Sequence, residues 1–241
     1  MSLLNKTVLV TGASRGIGAA LVIEMLASGA AKIYAAARDP KTVAAFGDTR
    51  VIPLQMDITN DTSVNAAAAI AKDVDILVNN AGTMAFGDVL GNAWETFDDD
   101  MQTNYFGTLR VIRAFTPQFV ARQSGTIANV SSVVGLSAIP LMAGYAASKA
   151  ALHSLTQSLR GSLKKHNVTV VGIYPGPIET ALAADVPYPD KATPEDAAAH
   201  IVEGIVAGNT YVFPDPMAKQ VEHLWSTDNR QLEHFALTRG A

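Results

Sequence analysis

Tyr145 and Lys149 stand four residues apart in Tyr145-Ala146-Ala147-Ser148-Lys149. That spacing puts both side chains on one face of a helix. A phenol ordinarily titrates at about 10 and a lysine ammonium at about 10.4. An ammonium beside the ring stabilises phenolate, so the pair predicts a tyrosine pKa lowered toward neutrality. Such a tyrosine can give a proton to a carbonyl oxygen or take one from an alcohol. The pair alone is common, and its neighbours decide its meaning. Asn129-Val130-Ser131-Ser132 ends an apolar run 13 residues before Tyr145, counted to Ser132. Asn79-Asn80-Ala81-Gly82 ends another, and Asn104 opens a long helical stretch. Near the N-terminus, Thr11-Gly12-Ala13-Ser14-Arg15-Gly16-Ile17-Gly18 reads as strand, glycine turn and helix start. Glycines there let the backbone approach a ligand, and the helix N-terminus suits a pyrophosphate. The spacing is G-x-x-x-G-x-G rather than the usual dinucleotide G-x-G-x-x-G.

The same turn also contains G-x-S-x-G, the strand-turn-helix form of a hydrolase nucleophile. Three features argue against that reading. The strand opens the chain, so no earlier strand supplies an oxyanion hole. Gly18 has no role in such an elbow. None of His153, His166, His200, His223 and His234 falls in a turn after a late strand. The histidines also lack metal-binding spacing and read as surface or packing residues. Asp98-Asp99-Asp100 precedes the long helix, where acids are favoured by the dipole rather than by a metal.

The elements that must position these groups alternate. Short apolar runs at Thr7–Thr11, Lys32–Ala36, Arg50–Gln55, Ile76–Asn79, Gly125–Val130, Thr169–Tyr174 and Thr210–Phe213 predict strands. They are apolar throughout, as parallel strands covered on both faces are. Helices are expected over Gly16–Ser28, Thr62–Lys72, Met101–Arg122, Gly144–His166 and Pro194–Ala207, with a helical tail over about 215–238. On the long helix, Tyr105, Leu109, Ile112, Thr116 and Phe119 form the expected core stripe, and Pro117 is the expected kink. The pattern predicts an α/β fold, a doubly wound seven-stranded parallel sheet in one domain spanning 1–241. Ligands in such sheets bind beyond the carboxyl ends of the strands.

Composition agrees. The 241 residues are 49% hydrophobic and 17% charged, which excludes a disordered chain. A net charge of −4 argues against nucleic acid. The absence of cysteine excludes disulfides, thiolate catalysis and cysteine-bound zinc. No apolar run reaches a membrane-spanning length and no secretory signal is visible, so a cytoplasmic protein is expected.

With these motifs in this order, the sequence resembles the short-chain dehydrogenase/reductase family over essentially its whole length. The matching residues are Thr11–Gly18, Asp57, Asn79–Gly82, Asn104, Ser132, Tyr145–Lys149 and Pro175–Thr180. The resemblance implies that Tyr145 is the general acid/base and that Ser132 polarises the carbonyl. It implies that Lys149 lowers the tyrosine pKa and binds the nicotinamide ribose, and that Asn104 holds a relay water. A bound cofactor would contact Gly12, Ser14, Arg15, Ile17, Gly18, Arg38, Asp57, Ile58, Asn79, Ala81, Gly82, Tyr145, Lys149, Pro175, Gly176, Ile178 and Thr180. No metal is implied. A non-catalytic dinucleotide sensor or scaffold on the same fold is the alternative, and the complete Asn104, Ser132, Tyr145 and Lys149 set speaks against it.

The end of the second strand distinguishes the two nicotinamides. It reads Ala35-Ala36-Ala37-Arg38-Asp39, with a neutral terminal residue followed by a cation, and Arg15 is a second cation. Guanidinium binds phosphate with two parallel hydrogen bonds. NADP(H) is therefore expected, with Asp39 turned away as a cap. Met84, Leu136, Leu141, Met142, Leu182, Val186 and Tyr188 lie on loops expected to border the pocket, which suits an apolar or aromatic carbonyl or alcohol. The substrate loop, about 177–195 with the Pro-punctuated Val186–Asp190, is short. The family's usual final strand and glycine turn are replaced by Tyr211-Val212-Phe213-Pro214-Asp215-Pro216. A homo-oligomer is expected, a dimer through the two long helices more than a tetramer.

Overall fold

Alternate residues of each central strand enter two different cores, which is why the strands read as unbroken apolar runs. In the computed structural model, Val8 and Val10 pack on one side of the sheet with Ile33, Val78 and Ile173. Leu9 packs on the other side with Leu77, Ile127 and Val170. The structure describes residues 2–186 and 188–239; Pro187, in the expected Val186–Asp190 loop, lies outside the described residues. Seven strands form one parallel sheet: β1 (Thr7–Thr11), β2 (Lys32–Ala37), β3 (Val51–Gln55), β4 (Ile76–Asn79), β5 (Gly125–Val130), β6 (Val168–Ile173) and β7 (Tyr211–Val212). Their order is β3-β2-β1-β4-β5-β6-β7. The order reverses between β1 and β4, so the crevice for a ligand opens above their carboxyl ends.

Helices α1 (Gly16–Ala27) and α6 (Pro194–Ala207) cover one face. Helices α2 (Asp61–Ile70), α4 (Thr108–Arg122) and α5 (Ala143–Leu163) cover the other, and α3 (Trp94–Asp100) leads into α4. Local chemistry sets their starts. The Asn60 side chain takes the Ser63 N–H of α2, and Thr193 takes the Asp196 N–H of α6, where Pro194, Glu195 and Asp196 fill the first turn. Each cap contributes about 1 kcal/mol. The expected tail is two helices, α7 (Pro216–Thr227) and α8 (Asn229–Arg239). Their buried Val221 and Leu232 join Val133, Tyr174 and Phe213 in a third cluster. Burying each such side chain contributes about 1.5–3 kcal/mol, which docks the tail over the end of the sheet.

Most element boundaries fall within one or two residues of expectation. Some readings need correction. Strand β3 is not covered on both faces: Ile52 and Pro53 are exposed, because β3 is the sheet edge, where proline is tolerated. The long helix begins at Trp94 rather than Met101, so Asp98–Asp100 lie inside it. Residues Met101–Gly107 are π-helical. Their wider turn rotates the buried stripe, so Asn104, Thr108, Val111, Phe115 and Phe119 are buried while Tyr105, Leu109 and Thr116 are only partly so. Helix α4 continues through Pro117 to Arg122.

Candidate active site

The expected catalytic residues converge above β4, β5 and β6. Ser132 follows β5, and its hydroxyl donates to the Pro175 carbonyl at 3.3 Å. The Tyr145 hydroxyl, in the first turn of α5, is hydrogen-bonded to the Ser132 side chain. Lys149 lies one turn on, with Nζ 5.6 Å from the centre of the Tyr145 ring and donating to the Val130 carbonyl at 2.9 Å. All three are buried.

Asn104 is fully buried in the π turn. Its amide donates to the Thr83 carbonyl and to the Ser148 hydroxyl, both at 2.9 Å, and its Oδ1 accepts the Thr83 N–H. Ser148 in turn donates to the Tyr145 carbonyl at 2.7 Å. The extra residue of the π turn thus lets one side chain brace the loop after β4 against the helix that carries Tyr145 and Lys149.

The electrostatics correct one expectation. The Tyr145 pKa is not lowered but pushed up to about 12, chiefly by burial, against the Ser132 hydrogen bond. Burial pulls Lys149 down to about 8. Lys149 lies over the ring and donates to the Val130 carbonyl, so its charge meets the ring while burial dominates both groups. Asp100, expected only to favour the helix dipole, is buried instead. It is 1% exposed, and burial first of all raises its carboxyl to about 6, against one long hydrogen bond from the Ala85 N–H. Its Oδ1 has no partner among the described residues.

Beside these groups lie two adjoining cavities. They share Ile17, Asn80, Gly82, Thr83, Thr180 and Leu182 in their walls. One is a polar crevice over the β1–α1 turn, lined by Gly12, Ser14, Arg15, Arg38, Asp57, Ile58 and Ala81 among others. Its backbone is built for close approach. Gly12 has φ +67°, and a Cβ there would lie 2.9 Å from the Ala81 Cα. A Cβ on Gly18 would lie 2.2 Å from the Gly12 carbonyl oxygen. The Thr11 hydroxyl accepts the Asn80 and Ala81 N–H groups at 3.0 Å, tying the β1 and β4 turns together. Arg15 and Arg38 are exposed on the crevice, and Arg38 faces the Asp57 charge. Asp57 is itself held below its usual value, first by the Thr59 hydroxyl. Asp39 turns away, accepting the Lys41 N–H as a cap, as expected.

The second cavity, about 210 Å³, contains Ser132, Tyr145 and Lys149 with Pro175, Gly176 and Ile178. Most of its wall is apolar, and among the described lining residues Lys149 carries the only charge. Met84, Leu141, Met142, Leu182, Val186 and Tyr188 line it as expected. Leu136 does not line it and packs against the tail cluster. Phe86, Ile139, Met217, Val221, Leu232 and Phe235 line it without having been singled out in the sequence. Helical periodicity marks the tail residues as apolar but cannot say which surface they cover.

Asn79 is the other departure. Its side-chain amide donates to Asn129 Oδ1 at 2.8 Å inside the sheet, away from both cavities. Asn80 takes the crevice position, donating to the Thr11 and Gly12 carbonyls. The period of two along a strand end separates them, and spacing alone does not tell which faces in. His153, half-buried, meets the Tyr174 hydroxyl at 2.7 Å in the tail packing. No group of residues able to hold a metal occurs among those described, nor any helix long and apolar enough to cross a membrane.

Comparisons with known proteins show the family and the fold. The family model for short chain dehydrogenase matches residues 6–190. A dehydrogenase/reductase SDR family protein 7-like from Anopheles gambiae is 32% identical, over 91% of this chain and 78% of its own. The solved structure of a short chain dehydrogenase from Burkholderia cenocepacia J2315 in complex with NADP superposes with a TM-score of 0.92. It is 36% identical, over 98% of this chain and 99% of that one. A short chain dehydrogenase/reductase from Burkholderia phymatum in complex with NAD gives 0.82 at 25% identity, over 96% of both chains.

Proposed function

This chain belongs to the short-chain dehydrogenase/reductase family of oxidoreductases, and on that premise we propose that it interconverts a ketone or aldehyde with the alcohol, using NADP(H). One observation carries the reading. Tyr145, Ser132 and Lys149 stand together on the wall of an apolar cavity that opens into a glycine-floored, cation-rimmed crevice.

The crevice fits a dinucleotide. The Gly12 and Gly18 backbones leave no room for side chains, and α1 points its N-terminus at the space. Residues Gly12, Ser14, Arg15 and Ile17 would hold the pyrophosphate region, with Asp57, Ile58, Ala81 and Gly82 lining the remainder. Arg38 and Arg15 would hold a 2′-phosphate, and the neutral Ala37 repels none. The NADP complex of the Burkholderia cenocepacia relative supports this choice.

When bound, the reduced nicotinamide supplies a hydride to the carbonyl carbon. The residues of this chain do the rest. Tyr145 donates a hydrogen bond to the carbonyl oxygen, and Ser132 joins it by turning its one hydroxyl proton from the Pro175 carbonyl to that oxygen, which gains negative charge as the hydride arrives. Tyr145 then transfers its proton to that oxygen: its raised pKa keeps it protonated at pH 7, and the alkoxide formed by the hydride is a stronger base than the phenolate left behind. Lys149 supplies positive charge beneath the ring and steadies the phenolate left behind. Asn104 acts by bracing α5, since its amide hydrogens are already taken.

The apolar walls favour a neutral, apolar or aromatic substrate, admitted past the 177–195 loop. A homodimer through α4 and α5 and a cytoplasmic location belong to the same reading. The test is NADPH oxidation followed by absorbance with a panel of apolar ketones and aldehydes. The reading expects turnover with stoichiometric alcohol. NADPH binding without turnover on any of them favours a sensor instead.

A further inference from the structure

Asp215 opens α7 and is 2% exposed. A buried carboxylate is costly unless its oxygens are occupied. Here backbone donors from two separate elements occupy them. Oδ1 accepts the Ala218 N–H at 2.9 Å and so caps α7, and the Met217 N–H bonds the same carboxylate. Oδ2 accepts the Gly176 N–H at 2.7 Å, in the turn after β6.

That turn is held from its other side by the catalytic loop. The Pro175 carbonyl accepts the Val133 N–H at 3.0 Å and the Ser132 hydroxyl at 3.3 Å. The packing is close: a Cβ on Gly176 would lie 2.6 Å from Asp215 Oδ1 and 3.2 Å from the Met217 Cβ. Beyond this junction, α7 and α8 send Met217, Val221, Leu232 and Phe235 into the cavity that holds Tyr145.

We propose that Asp215 is a positioning residue that locks the α7–α8 wall of the substrate cavity to the Pro175–Gly176 turn, registering the apolar part of the substrate against Ser132 and Tyr145. The inference rests on the proposed carbonyl chemistry at that site. The donor count specifies aspartate. At an ordinary helix start asparagine caps as well as aspartate. Here N–H groups approach both oxygens, and an asparagine side chain offers only one acceptor. Its NH₂ must face either the turn or the helix, so one side of the lock opens.

The experiment compares wild type, Asp215→Asn and Phe235→Ala with benzylacetone, which reaches the wall, and acetone, which does not. It reads kcat/KM for both ketones, the affinity of NADP⁺-loaded protein for benzylacetone by calorimetry, and Tm. Losing one charge-assisted bond should lower kcat/KM and affinity for benzylacetone by about tenfold or more in Asp215→Asn, and change acetone by less than about threefold. Phe235→Ala should shift the same preference, at a lower Tm because Phe235 packs against the tail cluster. Equal losses for both ketones, or no loss beyond a lower Tm, reduce Asp215 to a helix cap and overturn the proposal. The calorimetry judges the lock apart from catalysis. A wild type that binds benzylacetone without reducing it refutes the reductase alone. A wild type that does not bind it refutes the wall.

Discussion

Single residues carry the chemistry, and their spacing made much of it readable. Tyr145 and Lys149 are linked by one helical turn, and Ser132 by a strand end, so local rules placed all three together. Their electrostatics were not readable, because burial comes from the whole fold: it raises Tyr145 and lowers Lys149 against the expectation from their pairing alone. Cofactor choice is also decided by single residues. Arg38 follows the neutral end of β2 and faces the crevice, so Arg38→Ala should harm NADPH and spare NADH. A charge-assisted hydrogen bond contributes roughly 1.5–3 kcal/mol, which corresponds to about 10–150-fold in kcat/KM for NADPH. Ala37→Asp with Arg38→Ala adds repulsion of the phosphate and an acceptor for the ribose, and should reverse the preference. Equal loss of both cofactors would make Arg38 structural. The comparison needs kcat/KM for both cofactors at one salt concentration.

At the scale of elements, the β1–α1 turn shows how backbone geometry makes a binding surface. Gly18 packs directly beneath the Gly12 carbonyl, and no small adjustment makes room for a methyl 2.2 Å from that oxygen. Gly18→Ala should therefore displace the turn, weaken NADPH at least tenfold and lower Tm by a few degrees. A variant with wild-type NADPH affinity by fluorescence titration would contradict this account of the crevice. The glycine motif was legible as a turn because only glycine tolerates such contacts. The π turn at Met101–Gly107 was not legible, since its sequence reads as ordinary helix. Its sign is the mismatch between the expected stripe and the buried set, and the wider turn is what brings Asn104 inward. The side chains of the tail were opaque for a related reason: amphipathic helices announce a buried face, not the neighbour it covers.

Across the whole molecule, alternation of strand and helix specified the sheet, and crossover handedness left few other ways to assemble it. Burial set by that assembly leaves a measurable cost at Asp100. Its carboxyl titrates at about 6 in the fold, above the ordinary 3.8. Between these values the folded state holds more protons than the unfolded one, so this group's contribution to stability falls as pH rises through that window. Asp100→Asn removes the titration. The Tm difference between variant and wild type should grow by a few degrees in the variant's favour from pH 4 to pH 6 and then level off. A difference independent of pH would show that Asp100 is not held neutral in the acid range. The central claim is that this molecule moves a hydride to a carbonyl while Tyr145 supplies the proton. Its most direct test is Tyr145→Phe, which keeps the ring and removes the donor. With a carbonyl that the wild type reduces, kcat should fall by at least the 10²–10⁴-fold typical of general acid catalysis, with NADPH affinity little changed. Reduction by the phenylalanine variant at close to the wild-type rate would contradict the account.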